Sequence, residues 1–325
     1  IHFLIMLFAV LSLLVHVPSD AYANDGSSIT EVESLEHDTD RGRENSLVQV
    51  DSDTYALAYS GEGEDGYIST FTISADGTTI TEVESLEHDT VYGLHNSLVQ
   101  VDSDTYALAY YGISGDGFIS TFDIDSTGDI TPIRVANHAT LGEGSSVNLE
   151  HDTVFARYNS LVQVDSDTYA LAYTGEDNDG FISTFTIPSD GSSITEVESL
   201  EHDTVFGYHN SLVQVDSDTY ALAYTGSNGK ISTFTISSDG TITAVKTQSL
   251  GNNLEHDTDG VIENSLVKVD SDTYALAYAE SVYDGAGRDG HISTFTISVT
   301  VTSSGEKKKS GSECNDCTAP SIGIS

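Results

Sequence analysis

Apolar and polar residues alternate along most of the chain with the two-residue period of extended strands. In the segment Thr54–Tyr59, the tyrosine and leucine side chains fall on one face of a strand, and Ala56 and Ala58 fall on the other. Such segments are rich in Val, Ile, Thr, Tyr and Phe, and Gly, Asp and Ser bound them. No segment after residue 23 shows the 3.6-residue period of a helix. The pattern predicts an all-β protein.

The strand pattern occurs five times. Each copy contains Leu-Glu-His-Asp-Thr, Asn-Ser-Leu-Val, Asp-Ser-Asp-Thr-Tyr-Ala-Leu-Ala-Tyr and Ile-Ser-Thr-Phe in the same order. In the first copy we predict four strands, A to D, at Ser46–Val50, Thr54–Tyr59, Tyr67–Ile73 and Ile80–Leu86. Four strands in a repeat of about 50 residues are typical of a propeller blade. The bulky face of each blade is expected to pack on the small, alanine face of its neighbour.

An additional strand-like segment, Ile29–Leu35, resembles strand D but precedes the first strand A. No comparable sequence follows the fifth strand C, His291–Ile297. We therefore expect the N-terminal strand to complete the fifth blade and close the ring, which removes the free sheet edges. Val299–Thr302 is an alternative for the same place, and an open array of blades is another. The predicted fold is a five-bladed β-propeller of four-stranded blades over residues 24–301.

The two ends of the chain differ from the repeats. The apolar run Phe3–Val17 and the small residues at Ala21-Tyr22-Ala23 predict a secretory signal peptide over residues 1–23, incomplete at its N-terminus. The run is shorter than a membrane span requires. Residues 302–325 form a tail that contains Cys314 and Cys317, the only cysteines. In a secreted protein this spacing more often gives a local disulfide than a metal site, and we expect the tail to lead into a further domain.

The chain is strongly acidic, with 52 Asp and Glu against 11 Lys and Arg and a formal charge of −41. Nucleic acid is therefore excluded as a partner, because phosphate binding needs a basic face. Asp51 and Asp53 in the first A–B turn could present paired carboxylates to calcium, but aspartate also caps tight turns. A calcium loop is not predicted, since glycine replaces the required acid in the B–C loops. We expect no cofactor beyond weak, unspecific binding of divalent cations.

Each copy carries a His-Asp pair between strand D and the next strand A. Imidazole and carboxylate together suit a divalent metal, so a ring of metal sites is one interpretation. The favoured alternative is a structural one, in which each His holds neighbouring blades together through a hydrogen bond. The pairs are His37-Asp38, His88-Asp89, His151-Asp152, His202-Asp203 and His256-Asp257.

With these motifs established, the chain resembles the secreted and cell-surface propeller-repeat proteins of bacteria and marine archaea. The elements that carry the resemblance are Thr-Tyr-Ala-Leu-Ala-Tyr, Asp-Gly-Phe-Ile-Ser-Thr-Phe and Asp-Gly-Thr-Ile-Thr, and it extends over residues 24 to 301. The Trp-Asp dipeptide of the WD40 type is missing. The resemblance implies a propeller fold and a secreted or cell-surface location, but no particular activity.

The D–A and B–C loops vary between copies, and the propeller topology places both sets on one face, as expected of a binding face. Aromatic side chains in the D–A loops are candidate ligand contacts, with packing between blades as the alternative: Tyr92, Phe155, Tyr158, Phe206 and Tyr208. Near-identical blades offer no unique acid on strand A, so a glycosidase is disfavoured. We expect a non-catalytic binding or adhesion module for an extracellular glycan or protein, and a surface-layer or matrix component is the alternative.

Overall fold

Antiparallel strands joined by tight turns form nearly all of the regular structure. The structure is a computed structural model, and it describes residues 30–134, 146–249, 261–280, 289–299 and 322–324. Within these ranges the only helical segments are three single 3₁₀ turns, at Glu62–Glu64, Ile113–Gly115 and Glu176–Asn178. None of the described helices has the length and hydropathy of a membrane span.

The strands assemble into five antiparallel sheets in chain order, with neighbouring strands consecutive in sequence. The first sheet contains β1 (Arg43–Gln49), β2 (Thr54–Ser60), β3 (Gly66–Ile73) and β4 (Ile80–Asp89). The second contains β5 (Leu94–Gln100), β6 (Thr105–Tyr111), β7 (Gly117–Ile124), and β8 (Ile130–Pro132) and β9 (Asn148–Asp152), which both pair with β7.

The remaining three sheets have the same order. The third contains β10 (Arg157–Gln163), β11 (Thr168–Thr174), β12 (Gly180–Thr186) and β13 (Thr195–Asp203). The fourth contains β14 (Tyr208–Gln214), β15 (Thr219–Thr225), β16 (Gly229–Ile236) and β17 (Ile242–Ser249). The fifth contains β18 (Val261–Lys268), β19 (Thr273–Glu280), β20 (Gly290–Val299) and β21 (Ile322–Ile324). The predicted all-β class and the four strands of each copy are confirmed.

The core lies between sheets, where bulky and small faces meet as predicted. Ala56 and Ala58 of the first sheet are fully buried against Tyr106, Leu108 and Tyr110 of the second. The same pairing joins the second sheet to the third, the third to the fourth and the fourth to the fifth. A small side chain on one face leaves room for a large one opposite, so near-identical repeats can pack closely on one another.

Hydrogen bonds also connect adjacent sheets at repeated positions. We call the first strand of each sheet the inner strand and the last strand the outer strand. On the inner strands, the backbone N–H of Leu98 donates to the Ser46 hydroxyl of the preceding sheet at 2.9 Å. Near the outer strands, the Thr70 hydroxyl donates to the carbonyl of Gly128 in the following sheet at 2.6 Å. Equivalent bonds recur in later sheets. Packing and hydrogen bonding thus fix each sheet against the next.

The first and fifth sheets each retain an open face. Leu47 is 60% exposed, although its counterparts in the other inner strands are buried, and Ile292 of β20 is 79% exposed where its counterparts are also buried. β20 pairs with β21 only at Ile297–Val299. The predicted pairing of Ile29–Leu35 with β20 is not present among the described residues, and residues 30–35 form no strand. The structure shows five sheets without a closed ring.

Two predicted segments lie outside the described residues. These are the signal peptide, residues 1–23, and all of the tail, residues 302–325, apart from β21. His256 and Asp257 also lie outside the described ranges.

Candidate functional site

Near the start of each inner strand, at its second or third position, one residue has a left-handed backbone. A register shift interrupts the pairing with the second strand at the same place in all five sheets. Left-handed backbone costs a non-glycine residue on the order of 1–3 kcal/mol, and such residues cluster at functional sites. The five are Glu44 (φ 57°), His95 (φ 53°), Tyr158 (φ 55°), His209 (φ 52°) and Glu263 (φ 57°).

The asparagine that follows each of these residues helps to hold the bend. The Asn159 side-chain amide donates to the carbonyl of Ala156 in its own sheet at 3.3 Å and to the carbonyl of His95 in the preceding sheet at 3.1 Å. Asn210 bonds to Tyr158, and Asn264 to His209, in the same way. The repeated Asn therefore helps to position the left-handed residue of the preceding sheet. This role explains why the Asn is the same in every copy.

The five left-handed residues and the five asparagines line one cavity of about 220 Å³. We call the left-handed residues Glu44, His95, Tyr158, His209 and Glu263 the mouth residues. They differ in chemistry from sheet to sheet, whereas the Asn-Ser-Leu-Val that follows them is the same in all five. The argument that no inner strand carries its own acid is therefore wrong, because Glu44 lies in β1 and Glu263 in β18.

Direct contacts join consecutive mouth residues. A carboxylate oxygen of Glu44 accepts a hydrogen bond from the backbone N–H of His95 and lies 3.7 Å from Nδ1 of its ring. The His95 ring centroid is 4.5 Å from that of Tyr158, which is 4.2 Å from that of His209. A carboxylate, two imidazoles and a phenol are thus in contact along one side of the cavity.

The surroundings of the mouth fix the protonation of its central groups. Burial lowers the pKa of His95 to about 4, and the charges of Arg157 and Arg43 act in the same direction. Burial raises the pKa of Tyr158, and Glu44 and Glu263 add to this effect. At neutral pH, His95 is therefore a neutral imidazole that can accept a proton, and Tyr158 is a phenol that can donate a hydrogen bond.

Of the five aromatic candidates from the sequence, Tyr158 lines this cavity. Tyr158 is a mouth residue, its ring contacts Tyr208 at 5.8 Å, and Phe206 stacks on Tyr208 at 5.5 Å. Phe155 and Tyr92 both pack against Tyr111, at 6.0 and 6.4 Å. The five predicted aromatics are thus partly packed against one another, and their role as ligand contacts stays a prediction.

The His-Asp pairs form a separate layer between the sheets. The imidazole of His151 packs edge-on against Tyr173 at 4.9 Å and Phe185 at 5.8 Å, and neither ring nitrogen has a hydrogen-bond partner. The same holds for His88 and His202. Glycine begins the adjacent strand because a Cβ at Gly66 would lie 2.5 Å from the ring of His88. Instead of the predicted hydrogen bond from the imidazole, the described histidines contribute ring packing.

The aspartates of the pairs cap the loops that follow them. A carboxylate oxygen of Asp152 accepts the backbone N–H groups of Val154 and Phe155, each at 2.9 Å. Asp38 and Asp89 do the same in their loops. Among the described residues, no three His, Cys, Asp or Glu side chains are grouped closely enough to hold a metal ion.

Comparisons with known proteins find similarity in structure only. No family model matches the sequence, and no curated protein matches it. A periplasmic gluconolactonase from Pseudomonas aeruginosa superposes with a TM-score of 0.52 at 12% identity, over 77% of this chain and 72% of that one. An endo-arabinase from Bacteroides thetaiotaomicron has a TM-score of 0.44 at 14% identity, over 78% and 93% of the two chains. A GH62 α-L-arabinofuranosidase from Coprinopsis cinerea has 0.45 at 13%, over 82% and 95%.

These neighbours support a fold of the β-propeller type and correct the expected function. The expectation of a non-catalytic binding or adhesion module is contradicted, because the gluconolactonase that superposes on this chain is an enzyme. The expectation that the protein is not an enzyme is contradicted by the same finding. Its physical basis also fails, since the mouth brings unlike acids and bases together where near-identical environments were expected.

The sequence did contain a signal for the mouth. The position before Asn-Ser-Leu-Val reads Glu, His, Tyr, His and Glu in the five copies, next to residues that do not change. In the sequence this position belongs to the variable D–A loops, whose drift needs no explanation. The structure adds a left-handed backbone that recurs at this position in all five sheets.

Proposed function

We propose that the protein is a hydrolase whose reaction takes place at the mouth, on an ester of sugar origin such as a lactone. The observation that carries this proposal is the convergence of five residues of three chemical kinds, two Glu, two His and one Tyr, all with left-handed backbone, on one cavity. Strain retained at five equivalent positions is expected where side chains must be aimed at a substrate. Packing alone would favour the same residue in every sheet, as it does in the histidine layer.

The mouth residues can perform water-mediated ester hydrolysis. Neutral His95 takes a proton from a water molecule as the water oxygen bonds to the carbonyl carbon, and Tyr158 donates a hydrogen bond to the carbonyl oxygen. The ring C–O bond then breaks, and protonated His95 returns the proton to the leaving alkoxide oxygen. Glu44, 3.7 Å from Nδ1, stabilises the transient imidazolium.

A glycosidase is the second candidate, favoured by one observation. Glu44 and Glu263 bring carboxylates from two different sheets to the same cavity. Glycoside hydrolysis uses two carboxyl groups on opposite sides of the scissile bond, one as acid and one as nucleophile or base. In that reaction the two glutamates carry the chemistry, and His95 is secondary.

Substrate assays with matched variants separate the two candidates. We would follow hydrolysis of glucono-1,5-lactone by proton release and of 4-nitrophenyl glycosides by absorbance. For a lactonase, His95→Gln lowers kcat by roughly 10²–10⁴-fold, and Glu263→Gln has a small effect. For a glycosidase, Glu44→Gln and Glu263→Gln abolish activity. Asp104→Asn, in a turn between an inner strand and its neighbour, is the control. Failure of the unmodified protein to hydrolyse either substrate class would refute the proposal.

We further infer that the five sheets close into a ring in which residues 29–38 pair with β20. The sequence Ile-Thr-Glu-Val-Glu-Ser-Leu-Glu-His-Asp at 29–38 is identical to that at 80–89 and 194–203, which supply the outer strands β4 and β13. Residues 30–38 already pack on the first sheet as an outer strand does on the following sheet. His37 contacts Tyr59 at 4.7 Å, as His88 contacts Tyr110 at 4.8 Å.

The exposed surfaces of the first and fifth sheets support this closure. Exposed Leu47 belongs to the large face of the first sheet, and exposed Ala277 belongs to the small face of the fifth. These are the two kinds of face that pack together at every other junction. The register of β3 and β4, with Ile68 opposite Leu86, predicts Ile292 opposite Leu35. Closure would also bring Glu263 beside Glu44 and complete the mouth.

A disulfide tests this closure. In a background lacking Cys314 and Cys317, Leu35→Cys with Ile292→Cys should form an intramolecular disulfide, because directly opposed residues lie within bonding range. Val32→Cys with Ile292→Cys is out of register and is the control. Equal cross-linking of both pairs, or links only between molecules, would contradict the proposed register.

We also propose that the protein acts outside the cytoplasm, in keeping with the signal peptide predicted at residues 1–23. Expression of the full chain and N-terminal sequencing of the exported product test this. The expected first residue is Asn24. Retention of residues 1–23 in the cell would contradict the proposal.

A further inference from the structure

Arg157 differs from Arg41, Arg43 and Lys230 because no acid in the described part of the chain pairs with it. The chain has 52 acidic and 11 basic residues, so a partner is rarely far away. Arg41 and Arg43 pair with Glu64, and Lys230 pairs with Asp203. Within the part of the chain that the structure describes, Arg157 has no ion pair within 4 Å.

Aromatic rings support the Arg157 guanidinium instead. Its central carbon lies 4.2 Å from the ring centroid of Phe155 and 5.1 Å from that of Tyr111. Its only described hydrogen bond is a long one of 3.5 Å to the Tyr111 hydroxyl. Stacking restricts the guanidinium plane while leaving most of its N–H groups available, which is the arrangement a planar anion needs.

Arg157 adjoins the mouth along the chain and belongs to a different sheet from the two acids. Arg157 immediately precedes the mouth residue Tyr158 in the third sheet, whereas Glu44 and Glu263 belong to the first and fifth sheets. Its charge also contributes to the lowered pKa of His95. The carboxylates of the mouth thus come from the first and last sheets, and the positive charge of Arg157 belongs to the middle one.

We propose that Arg157 is a substrate-binding residue that recognises an anionic group, a carboxylate or phosphate, on the sugar-derived substrate. This rests on the proposed hydrolase function and narrows its substrate to acidic sugars and their lactones. A bidentate bond between guanidinium and anion would anchor one end of the substrate. The reacting ester would then lie toward His95 and Glu44. Without this anchor, repulsion by the Glu44 carboxylate would keep an anionic substrate away from that side of the cavity.

Arg43 provides an internal control for this proposal. Arg43 and Arg157 occupy the same position in two sheets, each one residue before a mouth residue and at the start of an inner strand. The Arg43 guanidinium is 3.4 Å from a Glu64 carboxylate oxygen, so its charge is already compensated. Removal of Arg43 should therefore affect anion binding much less than removal of Arg157.

Binding measured without turnover tests the proposal independently of catalysis. We would titrate the full chain and its Arg157→Gln, Arg157→Lys and Arg43→Gln variants calorimetrically with glucuronate, glucose 6-phosphate and neutral glucose. We expect the unmodified protein to prefer an anion to glucose. Arg157→Gln should raise the Kd of that anion by about tenfold or more, and Arg157→Lys should retain part of the affinity. Arg43→Gln should change the Kd of the anion little, and the affinity for glucose should change little in all variants.

The outcomes distinguish this inference from the proposed function. Preference for glucuronate or for glucose 6-phosphate identifies the anion as carboxylate or phosphate. Equal binding of glucose and both anions, or equal losses in Arg43→Gln and Arg157→Gln, overturns the role of Arg157. If neutral gluconolactone is hydrolysed and no anion is preferred, the hydrolase proposal survives and this one fails. If anion binding depends on Arg157 but no substrate is hydrolysed, the role of Arg157 stands and the hydrolase proposal fails.

Melting temperatures of the variants show whether a loss of binding comes from unfolding. If Arg157→Gln is unstable, Arg157→Lys keeps the test valid.

Discussion

Two sets of residues in this protein contain buried histidine, and they differ in almost every other respect. The histidine layer between the sheets includes His88 and His151, where burial lowers the pKa to about 3. The mouth includes His95, whose pKa burial lowers to about 4. The layer repeats one residue in one apolar environment, whereas the mouth residues differ from sheet to sheet and face a shared cavity.

The difference shows how one repeat can serve both structure and chemistry. A histidine that packs between Tyr and Phe rings meets the same neighbours in every sheet, so identical residues satisfy identical surroundings. The mouth residues meet one another across the sheets, and unlike residues there create acid, base and donor groups side by side. Repetition therefore indicates packing, and variation within an invariant frame indicates function.

The largest expected effect is the loss of packing in the histidine layer. His151→Ala should destabilise the protein by about 3 kcal/mol, because it removes a ring packed between two others. His151→Phe keeps a ring and removes two buried nitrogens without partners, so its stability should stay within about 1 kcal/mol of the unmodified protein. Denaturant unfolding measures both. A loss in the Phe variant as large as that in the Ala variant would restore the hydrogen-bonded role predicted from sequence.

The ionisation of His95 should determine the pH dependence of kcat/KM. If neutral His95 is the base and its pKa is about 4, kcat/KM rises with pH through about 4 and is flat above 5. At pH 4.5 an ordinary histidine would be only about 1% neutral, whereas His95 is mostly neutral, a difference of nearly a hundredfold. An inflection near pH 6.5 in the pH–rate profile would contradict this assignment.

Acid should destabilise the folded protein through the histidine layer. The native pKa values of His88 and His151, about 3, lie below the ordinary value of 6.5, so the unfolded state binds protons first as pH falls. Their contribution to stability is complete above pH 6.5 and is lost between 6.5 and 3, at up to about 1.4 kcal/mol per pH unit for each histidine. His151→Phe should reduce this slope by one histidine's share in unfolding measured at pH 4.5–6. An unchanged slope would show that His151 titrates normally.

The smallest expected effect concerns the strained backbone of the mouth. Glu263 has a φ of 57° and an exposed side chain, so Glu263→Gly should stabilise the protein by about 0.5–1 kcal/mol. Val267→Gly, in the same strand but without a left-handed backbone, should destabilise it by about 1 kcal/mol. Thermal unfolding compares them. Destabilisation of similar size in both variants would mean that the left-handed backbone at Glu263 carries no strain.

The sequence by itself determined the all-β class, the four strands of each copy and the packing of large faces on small ones. These follow from a two-residue period and from turn residues, which act over a few positions of the chain and repeat five times. The sequence also predicted Ile29–Leu35 as an additional outer strand, whereas residues 30–35 form no strand in the structure. The alternation of apolar and polar residues could not predict the pairing partner of this segment, because that pairing depends on whether the first and last sheets meet.

Only the tertiary structure decided where the chemistry lies. Glu44 and His95 are 51 residues apart in sequence (95 − 44 = 51), and they touch because adjacent sheets place the starts of their inner strands together. The left-handed backbone at these positions arises from a register shift and from an asparagine that bonds across two sheets, neither of which leaves a periodic trace. Local patterns fix strands because strand geometry is local, whereas a cavity shared by five sheets exists only after they have packed.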